Sequence, residues 1–293
     1  MRSESEMFNL ILKFAREDER IRAVYMNGSR ANPKVPKDIF QDYDIVYVVT
    51  ETLDFIENQE WIQFFGDLIM MQEPDRNHFG DVSQIDIQSS YGFLMLFEDG
   101  NRIDLRIQTI AETLTTYGKD SLTVPLLDKD NLLPKIHPPS DRDYFVQKPT
   151  QLEYDSYTNN FWWCLQNVAK GMWRNQLPYS KLMFEHTIRK ALDQMIAWWI
   201  GIQYDFRVSV GMFNKYFKDF LPENYWKMYE QTYANSNAKH MWESIFVSCE
   251  LFRSLAQEVA ERFQFTYPMD DDRNMTAFLK QVKDLPKDAK GIN

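Results

Sequence analysis

The feature that most limits the possible folds is a change of pattern near Thr150. Before it, apolar residues come in short runs of strand length broken by turn residues: IRAVYMNG (21–28), YDIVYVVT (43–50), YGFLMLFED (91–99) and NRIDLRIQTI (101–110). After it, long aromatic-rich segments, roughly 153–175, 179–203, 222–234 and 237–264, carry helical spacing and few β signals. One layer type cannot accommodate both patterns, so the expected class is α+β. Residues 1–150 form a strand-bearing domain with flanking helices, and residues 151–293 form a C-terminal helical bundle. The Pro-rich stretch LPKIHPPSDRDYFVQKPT (133–150) reads as the linker.

Within the first domain, Met7, Leu10, Ile11, Phe14 and Ala15 recur on one face of a helix over residues 3–18. The Asp99-Gly100 pair between two strand runs signals a tight hairpin of type I′, whose centre needs positive φ. Residues 51–71 mix a helical pattern with a strand at its end, and residues 111–124 read as a further helix. The tail from Pro268 is polar, with a short helix around Met275–Asp284.

At 293 residues with 44% hydrophobic and 15% aromatic content, the chain can fill two sizeable cores. Its 33 basic and 43 acidic residues give a net charge of −10, which disfavours a phosphate-backbone footprint and suits a cationic small partner. Cys164 and Cys249 lie far apart without metal-ligand spacing, so neither a disulfide framework nor a zinc site is expected. The apolar stretch MFNLILKFA near the N-terminus is too short and charge-interrupted for a signal core or membrane span. The expected location is the cytoplasm.

The chemistry is expected around GSRANPKVPKDIFQDYDIVYVV (28–49). Asp42 and Asp44 flank Tyr43 at the start of an apolar strand, so both side chains project from one face, about 6–7 Å apart at the backbone. Two such groups repel, unless a hard divalent cation such as magnesium lies between them; the plainer alternative is a pair of solvated aspartates ending a loop. Gly28-Ser29 follows an apolar strand, where a turn can present backbone N–H groups to a triphosphate, and Arg30 can add charge-assisted contacts; an ordinary turn and a surface arginine are the alternatives. Asp104 interrupts the strand run IDLRI, where an unpaired charge would be costly. Its partner is either Arg102 or Arg106 on its own strand face, or the cation of Asp42 and Asp44. Asp86, in the more polar SQIDIQ, competes as the third carboxylate.

An apolar strand, Gly-Ser, a spacer, D-x-D on the next strand and a later strand aspartate together resemble the nucleotidyltransferase superfamily. The ordered series GSR, FQDYDI, MMQEPD, LFEDGNRIDL, LLDKD, FWW, KG, RN, MIAWWI, MWESIF and LFR, over about residues 1–270, further resembles the aminoglycoside 6-adenylyltransferase family, the streptomycin-modifying enzymes. The resemblance implies a nucleotidyltransferase-fold mixed sheet over 1–150 and a helical domain over 151–293 that contributes to the cleft for ATP and acceptor. It implies transfer of AMP from ATP to a hydroxyl of streptomycin. It places Asp42 and Asp44 as magnesium ligands, Asp104 as third ligand, base or both, and Lys170 as a contact to the ATP phosphates, against the plainer reading of a solvated helix lysine. The sequence departs from the family pattern in MMQEPDRNHFGDVSQIDIQSS (70–90) and in the tail, which leaves the acceptor open.

A cationic acceptor calls for carboxylates and aromatic faces. Glu153, Asp155, Glu185 and Asp193, with Trp162, Trp163, Trp173, Trp198 and Trp199, are candidates; most of the tryptophans are expected in the core. Glu185, between Phe184 and His186 in an apolar helix, is the chosen acceptor contact, although Glu185, Arg189 and Asp193 also fit i,i+4 surface pairs. His186 reads as a structural histidine. Two other functions remain: transfer to another small molecule or a protein, and a non-catalytic nucleotide-binding regulator of the same fold, for which three clustered carboxylates are unnecessary.

Overall fold

The computed structural model describes residues 1–76 and 86–292, and the chain divides into two compact units, Met1–Asp143 and Tyr144–Asn293. The expected class, α+β, is the observed one: a six-stranded mixed sheet in the first unit and helices in the second.

The sheet comprises β1 (Ile21–Met26), β2 (Tyr43–Val49), β3 (Leu68–Gln72), β4 (Ser90–Phe97), β5 (Arg102–Thr109) and β6 (Val124–Asp128), in the order β3-β4-β5-β2-β1-β6. β2 is central and buried at every position except Asp44, which explains its nearly continuous apolar run. It pairs antiparallel with β1 and parallel with β5. One face carries the main core, where Tyr43, Ile45, Tyr47 and Val49 pack with Ile103, Leu105 and Ile107 under α1 (Glu4–Glu17). α1 begins with a Ser3/Glu6 capping box and buries Met7, Ile11, Phe14 and Ala15 as its spacing predicts. Tyr47 resolves its own burial by donating its hydroxyl to the Ile11 carbonyl at 2.8 Å. Among the described residues the opposite face carries a smaller apolar cluster of Ala23, Tyr25, Val46, Val48 and Tyr117, with Ile110, Leu133 and Ile136 packed against it. Alternation along β2 puts Asp44 on that less covered face.

Three local readings need correction. The hairpin between β4 and β5 exists, but only Gly100 has positive φ (+83°), with its N–H on the Phe97 carbonyl at 2.9 Å and the Phe97 N–H on that of Asn101 at 2.9 Å. This is a three-residue loop with glycine in the left-handed region, not a type I′ turn. The helix expected over 111–124 is α3, Ile110–Thr116. Tyr117 then turns inward to meet the Tyr25 ring at 5.0 Å, and Gly118 follows at φ +75°. Strand β6 comes next and is absent from the sequence reading because Pro125 interrupts its run. As an edge strand that among the described residues pairs with β1 alone, it tolerates the proline. Residues 51–71 resolve into α2 (Leu53–Glu57), a 3-10 turn (Glu60–Phe65) and the start of β3. Residues 77–85, inside the segment that departs from the family pattern, lie outside the described residues.

The second unit contains α4 (Gln151–Trp173), α5 (Leu177–Met183), α6 (Arg189–Gln203), α7 (Phe217–Phe220), α8 (Glu223–Gln231), α9 (Ala238–Phe263) and α10 (Met269–Asp284). Thr150 caps α4 through a capping box with Glu153, so the extended segment ends there. α5 runs into α6 through one π-helical turn, Phe184–Ile188. Phe161 of α4 stacks on Phe252 of α9 at 3.7 Å between ring centroids, while Trp162, Trp198 and Trp199 are buried and Trp163 is exposed. α10 has 16 residues and is longer than the short helix expected. Cys164 and Cys249 are free thiols. Among the described residues no helix is long and apolar enough to cross a membrane.

Candidate active site

β1 delivers the chain to Asn27, whose N–H donates to the Asp44 carbonyl at 2.9 Å. Gly28 follows at φ +75°, a conformation glycine adopts without strain. The close approach is the stronger constraint, because a Cβ on Gly28 would fall 2.1 Å from Oδ2 of Asp44. Ser29 to Ala31 form a single 3-10 turn. Among the described residues the N–H groups of Ser29 and Arg30 meet no acceptor, whereas that of Ala31 donates to the Gly28 carbonyl at 3.1 Å. The Gly28-Ser29 turn therefore lies against the Asp44 carboxylate and offers two free donors beside it.

The parallel register sets Asp44 opposite Asp104, on the less covered face of the sheet. Asp42, just before β2, stands on the same side by strand alternation. Burial, reinforced by the negative charges of Asp104 and Asp42, pushes the Asp44 carboxyl up to about 6. Burial also raises Asp42, opposed by Arg102 and assisted by Asp104. Among the described residues the Asp44 carboxylate accepts no hydrogen bond and has no ion-pair partner.

Both expected partners of Asp104 can be placed. Arg102 grips it with a fork, Nε to Oδ1 and Nη2 to Oδ2, both 2.7 Å, and its Nη1 stands 3.5 Å from Oδ2 of Asp42. Arg106 turns to Ser90 Oγ at 2.9 Å and Asp75 at 3.6 Å. The guanidinium of Arg102 thus supplies the positive charge that two of the three carboxylates need, and among the described residues no three acidic, His or Cys side chains converge at metal-binding distances. The donor set still fits a hard divalent cation: three carboxylates on one sheet face, one of them unpaired and destabilised as an anion, with Arg102 exposed enough to swing aside. Asp86, the competing third carboxylate, is exposed in the turn before β4, where it accepts from Ser89 Oγ at 2.5 Å and Gln88 N–H at 3.1 Å.

Arg30 is nearly buried. Its Nη2 donates to the Gln41 carbonyl at 2.7 Å and its Nε to the Asp42 carbonyl at 3.2 Å, its guanidinium lies 3.8 Å from the centre of the Tyr43 ring, and Glu4 is its ion partner at 3.2 Å. In this arrangement it fixes the backbone that presents Asp42, a role invisible in sequence because its partners are carbonyls.

Lys170 and Glu185 belong to the second unit. Lys170, half-buried near the end of α4, lines a cavity of about 260 Å³ with Trp173, Arg174, Phe278 and Val282. Glu185 sits in the π turn, paired with Arg189 and 3.7 Å from Lys181, so the i,i+4 reading holds for Glu185 and Arg189. Asp193 is not part of that pair; it accepts from Tyr229 Oη at 2.9 Å and Asn214 Nδ2 at 3.1 Å. Glu153 belongs to the α4 capping box, Asp155 accepts from Gln151 at 2.7 Å, and His186 is exposed.

Over residues 1–282 the sequence matches the family described as streptomycin adenylyltransferase. It is 36% identical over 283 residues to the aminoglycoside 6-adenylyltransferase of Campylobacter jejuni, covering 97% of each chain. It is also 36% identical over 283 residues to the protein of the same name from Bacillus subtilis (strain 168), covering 96% of this chain and 98% of that one. The crystal structure of an aminoglycoside 6-adenyltransferase from Bacillus subtilis aligns with a TM-score of 0.48 and 33% identity, over 97% of this chain and 100% of that one. With a match along nearly the full length of chain and relatives alike, this protein belongs to the streptomycin adenylyltransferase family of enzymes.

Proposed function

We propose that the protein transfers AMP from ATP to the 6-hydroxyl of a streptomycin-like aminoglycoside in the cytoplasm, with release of pyrophosphate, and so confers resistance to the drug. The observation that carries the reading is the Asp44 carboxylate: held against the Gly28-Ser29 turn, opposite Asp104, and without a counter-charge of its own. Residues 1–150 are the nucleotidyltransferase domain in this reading, and residues 151–293 the helical domain.

The chain's own groups perform the following steps. Ser29 and Arg30 donate backbone N–H groups to triphosphate oxygens, and Lys170 adds a positive charge to them. Asp42, Asp44 and Asp104 would hold magnesium, which supplies charge neutralisation and Lewis acidity at the phosphates. Glu185 attracts the cationic acceptor. The acceptor oxygen forms a bond to the α-phosphorus as the bond to the departing pyrophosphate breaks, and Asp104, once released by Arg102, takes the hydroxyl proton.

The direct experiment is pyrophosphate release from ATP and magnesium across a panel of aminoglycosides. Release with streptomycin-type acceptors is the expected result. ATP binding without release for any acceptor would leave the non-catalytic regulator, and release only with other small molecules or a protein would change the acceptor class. A second expectation concerns Gly28→Ala. Its methyl group must displace the Asp44 carboxylate, a movable side-chain end, and alanine must adopt φ +75° with ψ −158°, a region essentially confined to glycine, at a cost of about 1–3 kcal/mol. Turnover is expected to fall at least about tenfold with the fold retained, since 10-fold corresponds to about 1.4 kcal/mol in the barrier. Wild-type rates in Gly28→Ala would remove the glycine–carboxylate contact from the mechanism.

A further inference from the structure

Inside the second unit, a cavity of about 460 Å³ opens between the π turn, α6 and the segment after Gly211. Its wall includes Asp193, a largely buried residue whose carboxyl is pushed up to about 6, chiefly by burial. Among the described residues Asp193 has no ion-pair partner within 4 Å; only two neutral donors, Tyr229 Oη and Asn214 Nδ2, hold it in place. The charge of Arg189 offsets it only in part and makes no ion pair with it. Arg189 is engaged by Glu185, by Thr232 Oγ1 at 2.9 Å and the Thr232 carbonyl at 3.0 Å, and by the Tyr233 ring at 3.8 Å. Lys190 is exposed.

Two further observations converge on the same cavity. Phe213 and Asn214 both have positive φ, +54° and +62°, a conformation costly for consecutive non-glycine residues. That strain puts the Asn214 amide on Asp193, and it leaves the Phe213 ring 92% exposed at the cavity wall, where it gains nothing from burial. The π turn of Phe184–Ile188, which brings Glu185 to the wall, is itself the type of helix irregularity that recurs at ligand sites. Tyr157 completes an aromatic boundary. A pre-placed carboxylate, two aromatic faces and a second carboxylate nearby match the needs of an amine or guanidinium group.

We propose that this cavity binds a cationic group of the acceptor, with Asp193 as its charge partner and the Phe213 ring as a covering face. The inference rests on the aminoglycoside reading above and deepens it: Asp193 provides the charge, while Glu185, already paired with Arg189, lends only a share of its own.

The test uses the full chain with streptomycin as probe. Calorimetric titration without ATP gives Kd, and steady-state rates give KM for each substrate. Asp193→Asn keeps the shape, with its Oδ1 placed to accept from Asn214 Nδ2 and its Nδ2 placed to donate to Tyr229 Oη, so it is expected to raise Kd and KM for streptomycin at least 10-fold while leaving KM for ATP unchanged. Phe213→Ala is expected to raise the same two constants about threefold, within the range of an exposed cation–π contact. Transfer to streptomycin with wild-type Kd and KM in Asp193→Asn overturns the site alone. No transfer by the wild type to any aminoglycoside overturns the functional reading and the site with it.

Discussion

Asp44→Asn is expected to reduce AMP transfer at least about 1,000-fold while leaving the circular dichroism spectrum unchanged. Asparagine keeps the shape but not the charge, and in the proposed reaction the charge is what would let Asp44 hold a cation against the triphosphate. The fold does not need that charge. In the metal-free protein the Asp44 carboxyl is raised to about 6 from an ordinary 3.8, chiefly by burial, so the native state holds its proton more tightly than the unfolded state does. Stability from this group is therefore greatest at low pH, where both states are protonated, and is lost as pH rises from roughly 4 through 6. Above that window the buried anion costs at most about 3 kcal/mol. Asp44→Asn in EDTA should thus be more stable than wild type at pH 7, and the gap should close near pH 4. A variant that is inactive and also less stable at pH 7 would mean that Asp44 supports the fold, which would sink the assignment.

Asp272→Ala is expected to have the largest effect on stability. Asp272, 2% exposed in the first turn of α10, accepts from Arg253 Nε and Nη2, both 2.5 Å, from Tyr267 Oη at 2.8 Å and from Thr276 Oγ1 at 3.1 Å. It anchors α10 to α9 and complements the positive end of the α10 helix. Removing it leaves a partly buried guanidinium with no counter-charge, which costs about 3–5 kcal/mol in a buried pair. Arg253 retains about one-third of its side-chain exposure, so the lower end, about 3 kcal/mol, is expected. In a unit of this size that lowers the thermal midpoint by roughly 6–12 °C. The check is a thermal melt of the full chain together with pyrophosphate release at 25 °C. A shift under about 2 °C would show that water replaces the carboxylate without penalty.

Several features were legible along the chain. The run IVYVV reads as a buried strand because both faces of β2 are covered, and Met7, Ile11, Phe14 and Ala15 read as a helix face because α1 packs on a single side. Asp104 could be recognised as a charge in need of a partner from its place between Ile103 and Leu105. β6 was not legible because edge strands escape the rule that excludes proline from sheets. In sequence Arg30 stands out for its charge alone, whereas its surroundings are two carbonyls, the Tyr43 ring of the following strand and Glu4 of α1.

The cavity around Asp193 shows the same limit more sharply. Nothing in the letters Phe213 and Asn214 announces positive φ, and Tyr157, Glu185 and Asp193 reach one wall only after α4, the π turn and α6 have packed. The sequence by itself determined the strand and helix periods and the two-residue spacing of Asp42 and Asp44, since these depend on near neighbours. Tertiary structure alone decided that Asp44 would lie opposite Asp104, that Arg102 rather than Arg106 would answer Asp104, and that Asp193 would have no ion pair among the described residues. The physical reason is that β register depends on Asp44 and Asp104, distant in the chain, and that the choice among nearby charges depends on groups brought in from other elements, Ser90 and Asp75 for Arg106 and Asn214 and Tyr229 for Asp193, whose distances are fixed only when the sheet and the helices close.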